Sequence, residues 1–374
     1  MAEYSNCARY YPVARVAHLE RLSEMSAADF YYSITREDWD ERLALSMPQV
    51  HRVTLLGFLR RIWSNDYRRL EVPEPLAIGA TTKVLMISLV IGAKHLLRPA
   101  RPTSTLVSYA IENLDQVEKV QSRFRLPSVF VRTVLRLMVH PILRQTSQIA
   151  FGTDGARANY ASVLGPDWEQ RYRQLKVTTY LALPTALPTT TPKKQNKVMF
   201  LGAFDERKDV LSVLEAWSFV SHKAPELRLS VLGHGELEAT VRTRTQELDF
   251  VDLRVNPTRP EIRAALESAH VVVLPSRRTP KWREQVGLPI VEALAAGCEI
   301  VTTRETGLAT WLEDHGHVVL DSDCGAQDIA RGIVSASKTD RSAEDIQSTL
   351  PNMDGRILAD RWLMPRAQDL GPTN

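Results

Sequence analysis

Apolar residues in the second half of the chain follow two alternating spacings. Residues 197–204 form a continuous apolar run, typical of a strand covered on both faces, and 209–221 repeat apolar positions every three or four residues, as helices do. Further strands are predicted at 227–233, 251–255, 270–275, 299–303 and 317–320, and further helices at 236–248, from 258, at 289–297 and at 306–315. Such alternation predicts a parallel, doubly wound sheet.

The first half of the chain alternates in the same way but less cleanly. Helices are predicted at 13–23, 129–143 and 155–164, and strands at 30–34, 105–111 and 148–152. A chain of 374 residues with 44% hydrophobic content is too long for one ordinary core. We therefore predict an α/β fold of two Rossmann-like, doubly wound domains facing a central cleft.

The domain boundaries are predicted from a segment rich in Pro and Thr that has no apolar period. That segment, 185–196, is assigned as the linker between a first domain at 1–184 and a second domain at 197–345. Residues 346–374 are assigned as a C-terminal tail that packs back on the first domain.

Cysteine content and the start of the chain bear on the compartment. Cys7, Cys298 and Cys324 are an odd, widely spaced set, which fits neither a disulfide framework nor a zinc site. The region after Met1 lacks the basic and apolar segments of a signal peptide. We therefore expect a cytoplasmic location, with peripheral attachment to the inner face of the membrane as an alternative.

The net charge of +3 conceals a strongly basic stretch. Residues 51–150 hold fifteen basic and six acidic side chains, a net charge of +9. An acidic acceptor, an anionic membrane surface or a nucleic acid would each suit such a field, and a solvated basic face explains it equally well. The apolar segment 84–93 lies between Lys83 and Lys94, so it is too short to span a bilayer and is predicted to be a buried helix, with interfacial membrane contact as the alternative.

The strongest chemical signal is a pair of glutamates eight residues apart. Glu284 and Glu292 enclose a Gly-Leu-Pro turn, and Pro289 fits the first turn of a helix. A helix that begins at the carboxyl end of a parallel sheet offers backbone N–H groups and a favourable dipole to an anion. Gly287 lets a ligand approach the backbone, and carboxylates accept hydrogen bonds from vicinal hydroxyls. The loop is therefore predicted to hold a phosphate and sugar hydroxyls together.

Two weaker signals follow neighbouring strands. Gly202-Ala-Phe-Asp-Glu-Arg207-Lys208 combines small residues with two cations, which suits a diphosphate, although a turn with solvated charges explains it too. Gly233-His234-Gly235 follows the next strand but lacks the G-x-G-x-x-G dinucleotide pattern.

In this order, the motifs resemble the C-terminal domain of the retaining glycosyltransferase family 4, which has the GT-B fold. The resemblance covers about residues 197–320 and makes the second domain the donor side and the first the acceptor side. It implies a catalytic role for Glu284, which would contact donor-sugar hydroxyls, and for Lys208 at the diphosphate. Arg207, the other cation of the pair, is predicted to act there with Lys208. The implied donor-binding residues are Glu292 at the ribose, Val286, Gly287 and Leu288 near the sugar and phosphate, Gly202 in the lysine loop, and Gly233 and Gly235 near the nucleobase.

The sequence departs from that family at two places. Ala203 stands where the family often has arginine, for which Arg207 would compensate. Tyr11-Pro12-Val13-Ala14-Arg15 stands where a Gly-Gly loop often follows the first strand, so Arg15 either meets phosphate or merely starts a helix. The first half carries only candidate acceptor-side groups: Glu112 or Asn113 after a strand, with a helix cap as the alternative, and His18, which faces either the cleft or the core.

No cofactor and no metal site is predicted. Asp38 with Asp40, and Asp321 with Asp323, form Asp-x-Asp pairs, but capping explains the second pair more simply. The expected co-substrate is a nucleotide-diphosphate sugar, and the acceptor is left open among a lipid, a glycan, a small molecule and a protein. Without an aromatic-interleaved basic motif, nucleic acid is not expected as a partner.

The predicted reaction is transfer of a hexose from the nucleotide-diphosphate sugar with retention and without a metal. In the family resembled, the leaving phosphate takes the acceptor's proton, so Glu284 would orient the ring while Lys208, Arg207 and the helix start stabilise the phosphate charge. Two alternatives stay open. One is a GT-B-like epimerase or phosphorylase, and the other is a nucleotide-sugar-binding scaffold with weak or no catalysis, which the two departures would fit.

Overall fold

The chain folds into two compact units. A computed structural model describes residues 6–36, 38–188 and 193–364. Within them, one unit comprises the chain up to Leu181 together with the segment from Gly355 onward, and the second unit is Ala182–Asp354.

These boundaries differ from the predicted ones at the linker and at the tail. Residues 189–192 of the predicted linker lie outside the described residues, but the parts on either side belong to the second unit. Leu187 N donates to Ala295 O at 2.8 Å, and Gln347 Nε2 donates to Leu187 O at 2.8 Å. The tail divides at Gly355, and only the part from there onward joins the first unit.

The first unit contains seven strands and nine helices among its described residues. Its strands are β1 (Cys7–Ala14), β2 (Asp29–Thr35), β3 (Val50–Arg52), β4 (Arg69–Glu71), β5 (Thr105–Ala110), β6 (Thr146–Phe151) and β7 (Lys176–Thr179). Its helices are α1 (Val16–Leu22), α2 (Glu41–Leu45), α3 (Leu55–Ser64), α4 (Ile78–Leu97), α5 (Gln116–Phe124), α6 (Ser128–Gln145), α7 (Asp154–Leu164), α8 (Trp168–Arg171) and the last helix of the described chain, α16 (Gly355–Leu363).

The sheet of the first unit is parallel throughout, in the order β3-β2-β1-β4-β5-β6-β7. The predicted helix at 13–23 is wrong at its start, because Val13 and Ala14 are the last residues of β1. Pro12 lies within that strand, where it has no N–H to give. Pairing of β1 with β4 ends at Arg9 opposite Glu71, so Pro12 removes no bond from that ladder.

Helix α4 is twice as long as the apolar segment suggested. It is the one helix in the described part of the chain whose length and composition would allow it to cross a membrane. Its inner face is nevertheless part of the core: Val84, Ile87 and Ile91 are buried in a cluster with residues of β1, β4 and α3. The Lys94 ammonium donates to Ile62 O at 3.0 Å and pairs with Asp66 at 3.0 Å. The prediction of a core helix therefore holds for this inner face.

The second unit contains six strands and seven helices in its described part. The strands are β8 (Lys194–Leu201), β9 (Arg228–Gly233), β10 (Val251–Val255), β11 (Ala269–Leu274), β12 (Glu299–Thr303) and β13 (Val318–Leu320). The helices are α9 (Val210–Lys223), α10 (Glu238–Gln246), α11 (Arg259–Ser268), α12 (Leu288–Ala295), α13 (Ala309–Asp314), α14 (Ala326–Ala336) and α15 (Ala343–Ser348).

The sheet of the second unit is also parallel, in the order β10-β9-β8-β11-β12-β13. Every residue of β11 and β12 is buried, as expected for central strands covered on both faces. Helix α11 opens with the predicted capping box, in which Thr258 and Glu261 bond each other's backbone N–H. The prediction of two parallel-sheet α/β domains is confirmed.

Candidate functional site

The candidate site is built from loops at one edge of the second sheet. The carboxyl ends of parallel strands meet at a common edge, so the loops after β8, β9, β11 and β12 lie side by side there. The loop after β12 braces the long loop 275–287: Thr306 Oγ1 donates to Val286 O at 2.6 Å and Gly307 N donates to Gln285 O at 2.9 Å. The predicted donor-side residues therefore come to one edge of the sheet.

Lys208 and Glu284 lie in direct contact. The Lys208 ammonium forms an ion pair with Glu284 Oε2, and Ser276 Oγ donates to the same oxygen at 2.9 Å. The lysine side chain is 14% exposed and the glutamate side chain 9%, so the pair is largely shielded from solvent. In such surroundings each charge depends strongly on the other.

Arg207 lies beside this pair and is held by two neighbours. Its Nε donates to Asp205 Oδ2 at 3.1 Å, and its guanidinium carbon is 5.1 Å from the centre of the Trp282 ring. The Lys208 ammonium is 5.2 Å from the same ring. The indole therefore faces both cations that were predicted to meet a diphosphate.

A second, partly buried contact ties the same two loops together. Asp209 has left-handed backbone (φ 54°) at the start of α9 and forms an ion pair with Arg277. Ser212 Oγ donates to Asp209 Oδ1 at 2.7 Å. Burial raises the pKa of the Asp209 carboxyl, although the bonds from Ser212 and Arg277 oppose that effect. The pair positions the residues that follow β8 against those that follow β11.

Helix α12 begins at the glycine that the sequence singled out. Gly287 has φ 84°, a backbone conformation that is unfavourable for any residue with a Cβ atom. Ile290 N donates to the Gly287 carbonyl at 2.8 Å. A Cβ at Gly287 would lie 2.9 Å from Ile290 Cδ1 and 3.6 Å from Glu284 Cγ. Val286 and Leu288 flank this turn, so their backbone groups lie within one residue of it.

Glu292 lies one turn into α12 and has a partner that was not predicted. Its Oε1 accepts from Arg259 Nη1 at 2.8 Å, and Arg259 is the first residue of α11. The glutamate side chain is 25% exposed and that of the arginine 62%. Glu292 therefore stands near the sheet edge with a cation that solvent can reach.

Three of the four predicted donor-side glycines lie where backbone segments pack closely. Gly202 N donates to Leu232 O at 3.1 Å, and a Cβ at Gly233 would lie 1.9 Å from Gly202 O. Gly235 packs on the backbone of Phe204, whose N donates to His234 O at 2.8 Å. Gly233 is required by this contact with the neighbouring loop, which is a structural reason for a glycine at that position.

The predicted acceptor-side residues of the loop after β5 are engaged within the first unit. Glu112 pairs with Lys119 at 3.6 Å, and its Oε1 accepts from Leu114 N at 3.2 Å. Asn113 is buried, and its Oδ1 lies against Gly155 at the start of α7. The helix cap itself is Asp115, which accepts from the first N–H groups of α5.

Glu74 is a buried carboxyl next to this loop that sequence reasoning missed. It accepts from Ile111 N at 3.0 Å and from Glu112 N at 2.9 Å. Burial raises its pKa to about 8, with the Glu112 charge acting in the same direction and the two N–H bonds opposing. Its position in a short Pro-containing segment offers no periodic signal that would have marked it.

Arg15 and His18 lie at the start of α1. Arg15 is exposed and precedes the helix as its N-cap residue, and its N donates to His18 Nδ1 at 3.1 Å. The His18 ring is 4.8 Å from the Tyr11 ring. Burial lowers the pKa of His18 to about 4, and the positive charges of Arg356, Arg21 and Arg15 lower it further. His18 is therefore neutral at physiological pH.

Two of the four carboxylates considered for a metal have other partners. Asp40 caps α2 by accepting from Leu43 N at 3.0 Å, and Asp321 is an exposed partner of Arg304 at 3.4 Å. Capping of α14 falls to Asp328, which accepts from Gly325 N, so the predicted capping role of Asp321 and Asp323 is wrong. Across 6–36, 38–188 and 193–364, no group of three or more His, Cys, Asp or Glu side chains is arranged to hold a metal ion.

Most of the second unit is similar to known glycosyltransferases. Residues 188–351 match the family described as Glycosyl transferases group 1. The phosphatidyl-myo-inositol mannosyltransferase of Mycobacterium tuberculosis is 29% identical over 157 residues, 40% of this chain and 40% of that protein. The D-inositol 3-phosphate glycosyltransferase of Pseudarthrobacter chlorophenolicus is 33% identical over 119 residues, 30% of this chain and 27% of that protein. Each match thus spans less than half the relative's length.

Solved structures resemble both units. WaaG, a glycosyltransferase involved in lipopolysaccharide biosynthesis, aligns with a TM-score of 0.53 over 96% of this chain and 99% of its own, at 15% identity. HepE of Anabaena, solved in complex with UDP, aligns with a TM-score of 0.60 over 95% and 94%, at 13% identity. At these identities the likeness concerns the fold. Residues 188–351 therefore resemble the glycosyl transferases group 1 family, and the chain has the GT-B fold that the resemblance to glycosyltransferase family 4 implied.

Proposed function

We propose that the protein is a retaining glycosyltransferase that moves a hexose from a nucleotide-diphosphate sugar to an acceptor. The observation that carries the proposal is the contact between Lys208 and Glu284 at the sheet edge where α12 begins. A cation for the diphosphate and a carboxylate for the sugar hydroxyls thus stand side by side in a shielded site.

The leaving diphosphate would be stabilised by charge already in place. Lys208 and Arg207 supply the cations, and Trp282 and Asp205 hold them in position. Pro289 has no N–H and Ile290 N donates to Gly287, so an anion at this helix start would meet the amides of Gly287 and Leu288. Fixed donors of this kind act most strongly where water is excluded.

The Lys208–Glu284 pair would part when donor binds. In the unliganded protein, each charge neutralises the other. A bound donor offers Lys208 a phosphate oxygen and offers Glu284 two hydroxyl donors, so both remain satisfied after they separate. Ser276 would keep Glu284 in place during that exchange, because its hydroxyl donates to the carboxylate independently of the lysine.

Glu292 would accept the ribose hydroxyls. Arg259 holds its carboxylate at the sheet edge without enclosing it, since the arginine is mostly exposed. The loops after β8 and β9, which these glycines allow to pack closely, would lie near the nucleobase.

The reaction needs no metal in this proposal, since cations and amides carry the charge that develops on the leaving phosphate. That phosphate would take the acceptor's proton. We expect turnover to be unchanged in excess EDTA. We also expect proton NMR to show an α-configured product from an α-linked donor. Turnover lost with EDTA and restored by Mg²⁺ or Mn²⁺, or an inverted product, would contradict this part.

A thermal-shift screen over UDP-, GDP-, ADP- and TDP-sugars tests the donor site directly. A donor present at 100 times its dissociation constant adds about 2.7 kcal/mol of stability. We expect stabilisation by one nucleotide class, and none in Lys208→Ala. No shift with any nucleotide sugar would refute the proposal. Donor binding without transfer over a panel of lipid, glycan, small-molecule and protein acceptors would favour a scaffold, and an isomerised donor without acceptor would favour an epimerase.

A further inference from the structure

The first unit exposes an apolar face that the donor chemistry does not use. It lies on α5, on α6 and on the loop between them, and we call it the α5–α6 face. Six large apolar side chains within residues 124–137 are exposed: Phe124, Leu126, Val129, Phe130, Val134 and Leu137. Val129 and Leu137 are each 71% exposed. Contiguous exposed apolar surface of this kind marks a site of interaction rather than a random scatter.

A pocket of about 200 Å³ opens on this face between α4, α5 and α6. Leu126, Phe130 and Val134 belong both to the exposed set and to the pocket lining, so they form its rim. Val131 and Leu135 lie deeper and are buried. The lining is almost wholly apolar, which suits a hydrocarbon chain and offers little to a sugar or a nucleotide.

Positive charge is concentrated in the segment that carries this face. Residues 116–145 hold six basic side chains and one acidic side chain: Lys119, Arg123, Arg125, Arg132, Arg136 and Arg144 against Glu118. Arg123 and Arg125 are exposed at the end of α5, and the Arg123 guanidinium carbon is 5.3 Å from the Phe124 ring. Apolar side chains between exposed cations match a bilayer surface, where acyl chains lie beneath anionic headgroups.

Two other partners fit less well. A second copy meeting this face across a two-fold axis would bring two positively charged surfaces together, which opposes association. A nucleic acid would use the cations but would leave the apolar pocket and its rim without a partner.

We propose that the α5–α6 face docks on a membrane surface rich in anionic phospholipid, with an acyl chain entering the pocket rimmed by Phe130. The exposed residues of this face lie at the periphery of the bilayer, and the buried side of α4 stays in the protein core. The inference rests on the first unit alone and does not depend on the donor chemistry of the second.

Co-sedimentation with vesicles tests the docking surface. The probes are vesicles of phosphatidylglycerol with phosphatidylcholine and vesicles of phosphatidylcholine alone, with the full chain in 0.1 M salt. We expect binding at least tenfold tighter to the anionic vesicles. Leu126→Asp/Phe130→Asp should lose most of that binding, and Arg123→Gln/Arg125→Gln should weaken it by about fivefold for each removed charge, with a shallower salt dependence.

Leu45→Asp is the matched control. Leu45 is 79% exposed on α2, whose residues Leu43 and Ala44 pack in a separate cluster with β2. It should bind vesicles as the unmodified chain does, and circular dichroism should show all variants folded. Equal binding to both vesicle types, or unchanged binding by Leu126→Asp/Phe130→Asp, would overturn the proposal. So would an equally tight complex with a DNA oligonucleotide, or a dimer in gel filtration that the apolar-face variants abolish.

Discussion

At the scale of single residues, the donor site depends on charges that shield each other. Lys208 and Glu284 are 76 positions apart, yet their side chains share one contact that Ser276 completes. A charge in such a site loses the favourable free energy of hydration, and only the interaction with its partner compensates for that loss. Substitution of Lys208 or of Glu284 therefore affects both the chemistry of the site and the stability of the fold, and the two effects must be measured separately.

Lys208→Ala and Glu284→Ala should each lower transfer by about two orders of magnitude or more, the scale of losing one charge-stabilising group. Initial rates with a saturating donor, beside a melting curve of each variant, provide the measurement. Arg263→Ala is the matched control, because it removes only an exposed pair with Glu267 on α11 and should leave the rate unchanged. Near-normal rates in both site variants would contradict the assignment.

Glu74→Gln should alter how stability depends on pH. With a folded pKa of about 8 against 4.5 in the unfolded chain, Glu74 stays protonated in the folded state over that window. The folded protein then binds the extra proton, so this group's contribution is complete below about pH 4.5 and is lost as pH rises towards 8. The slope is at most about 1.4 kcal/mol per pH unit.

The Gln variant should lose this component of the slope, because its neutral amide oxygen can still accept from Ile111 and Glu112. Urea unfolding of both proteins between pH 5 and 8.5 makes the comparison. A variant whose pH profile parallels that of the unmodified chain would show that Glu74 is ionised in the folded protein.

At the scale of elements, local pattern specified most of the second unit. Strand β10 and strand β12 have the predicted bounds, and the capping box at Thr258 lies where it was expected. The first unit was harder, because β3 and β4 have only three residues each and carry charged side chains. Such short strands form only because β1, β2 and β5 lie beside them, so no periodic pattern of apolar residues predicts them.

Gly287→Ala should destabilise the start of α12 by about 1–3 kcal/mol, because the left-handed backbone disfavours a Cβ and Ile290 stands 2.9 Å away. Donor affinity should fall with it, since Val286 and Leu288 flank the turn. Thermal unfolding with and without donor gives both quantities.

Gly79→Ala is the control within a helix. A Cβ there would meet nothing within 4 Å, and its backbone is not left-handed, so this change should be neutral or stabilise by up to about 1 kcal/mol. Equal effects of the two alanines would mean that the turn at Gly287 tolerates a side chain.

At the scale of the whole molecule, the chain returns to the first unit after completing the second. Helix α16 packs on β5 and β6, where Ala359 and Leu363 join a cluster with Val107 and Ala150. Two buried ion pairs accompany this packing: Arg9 with Asp360 at 2.5 Å, and Arg356 with Glu71. The segment from Gly355 is therefore an integral part of the first unit.

Asp360→Ala should destabilise the first unit by about 3–5 kcal/mol, since it leaves the buried Arg9 without one of its carboxylates. It also removes the acceptor of Ser26 N. Urea unfolding followed by circular dichroism gives the change. Arg361→Ala, on the exposed side of the same helix, should stay within about 0.5 kcal/mol of the unmodified chain. A loss below 1 kcal/mol for Asp360→Ala would show that the pair adds little.

The sequence by itself determined the alternation of strands and helices in the second unit and the positions of the Glu284–Glu292 and Gly202–Lys208 motifs. It could do so because strand and helix periods, turn glycines and caps are properties of neighbouring residues. Only the tertiary structure decided that Arg259 meets Glu292, that Glu74 is buried beside Glu112, and that Arg356 returns to Glu71 across 285 positions. Those contacts form between segments that are distant in the sequence, and the local spacing of apolar residues does not predict which segments will meet.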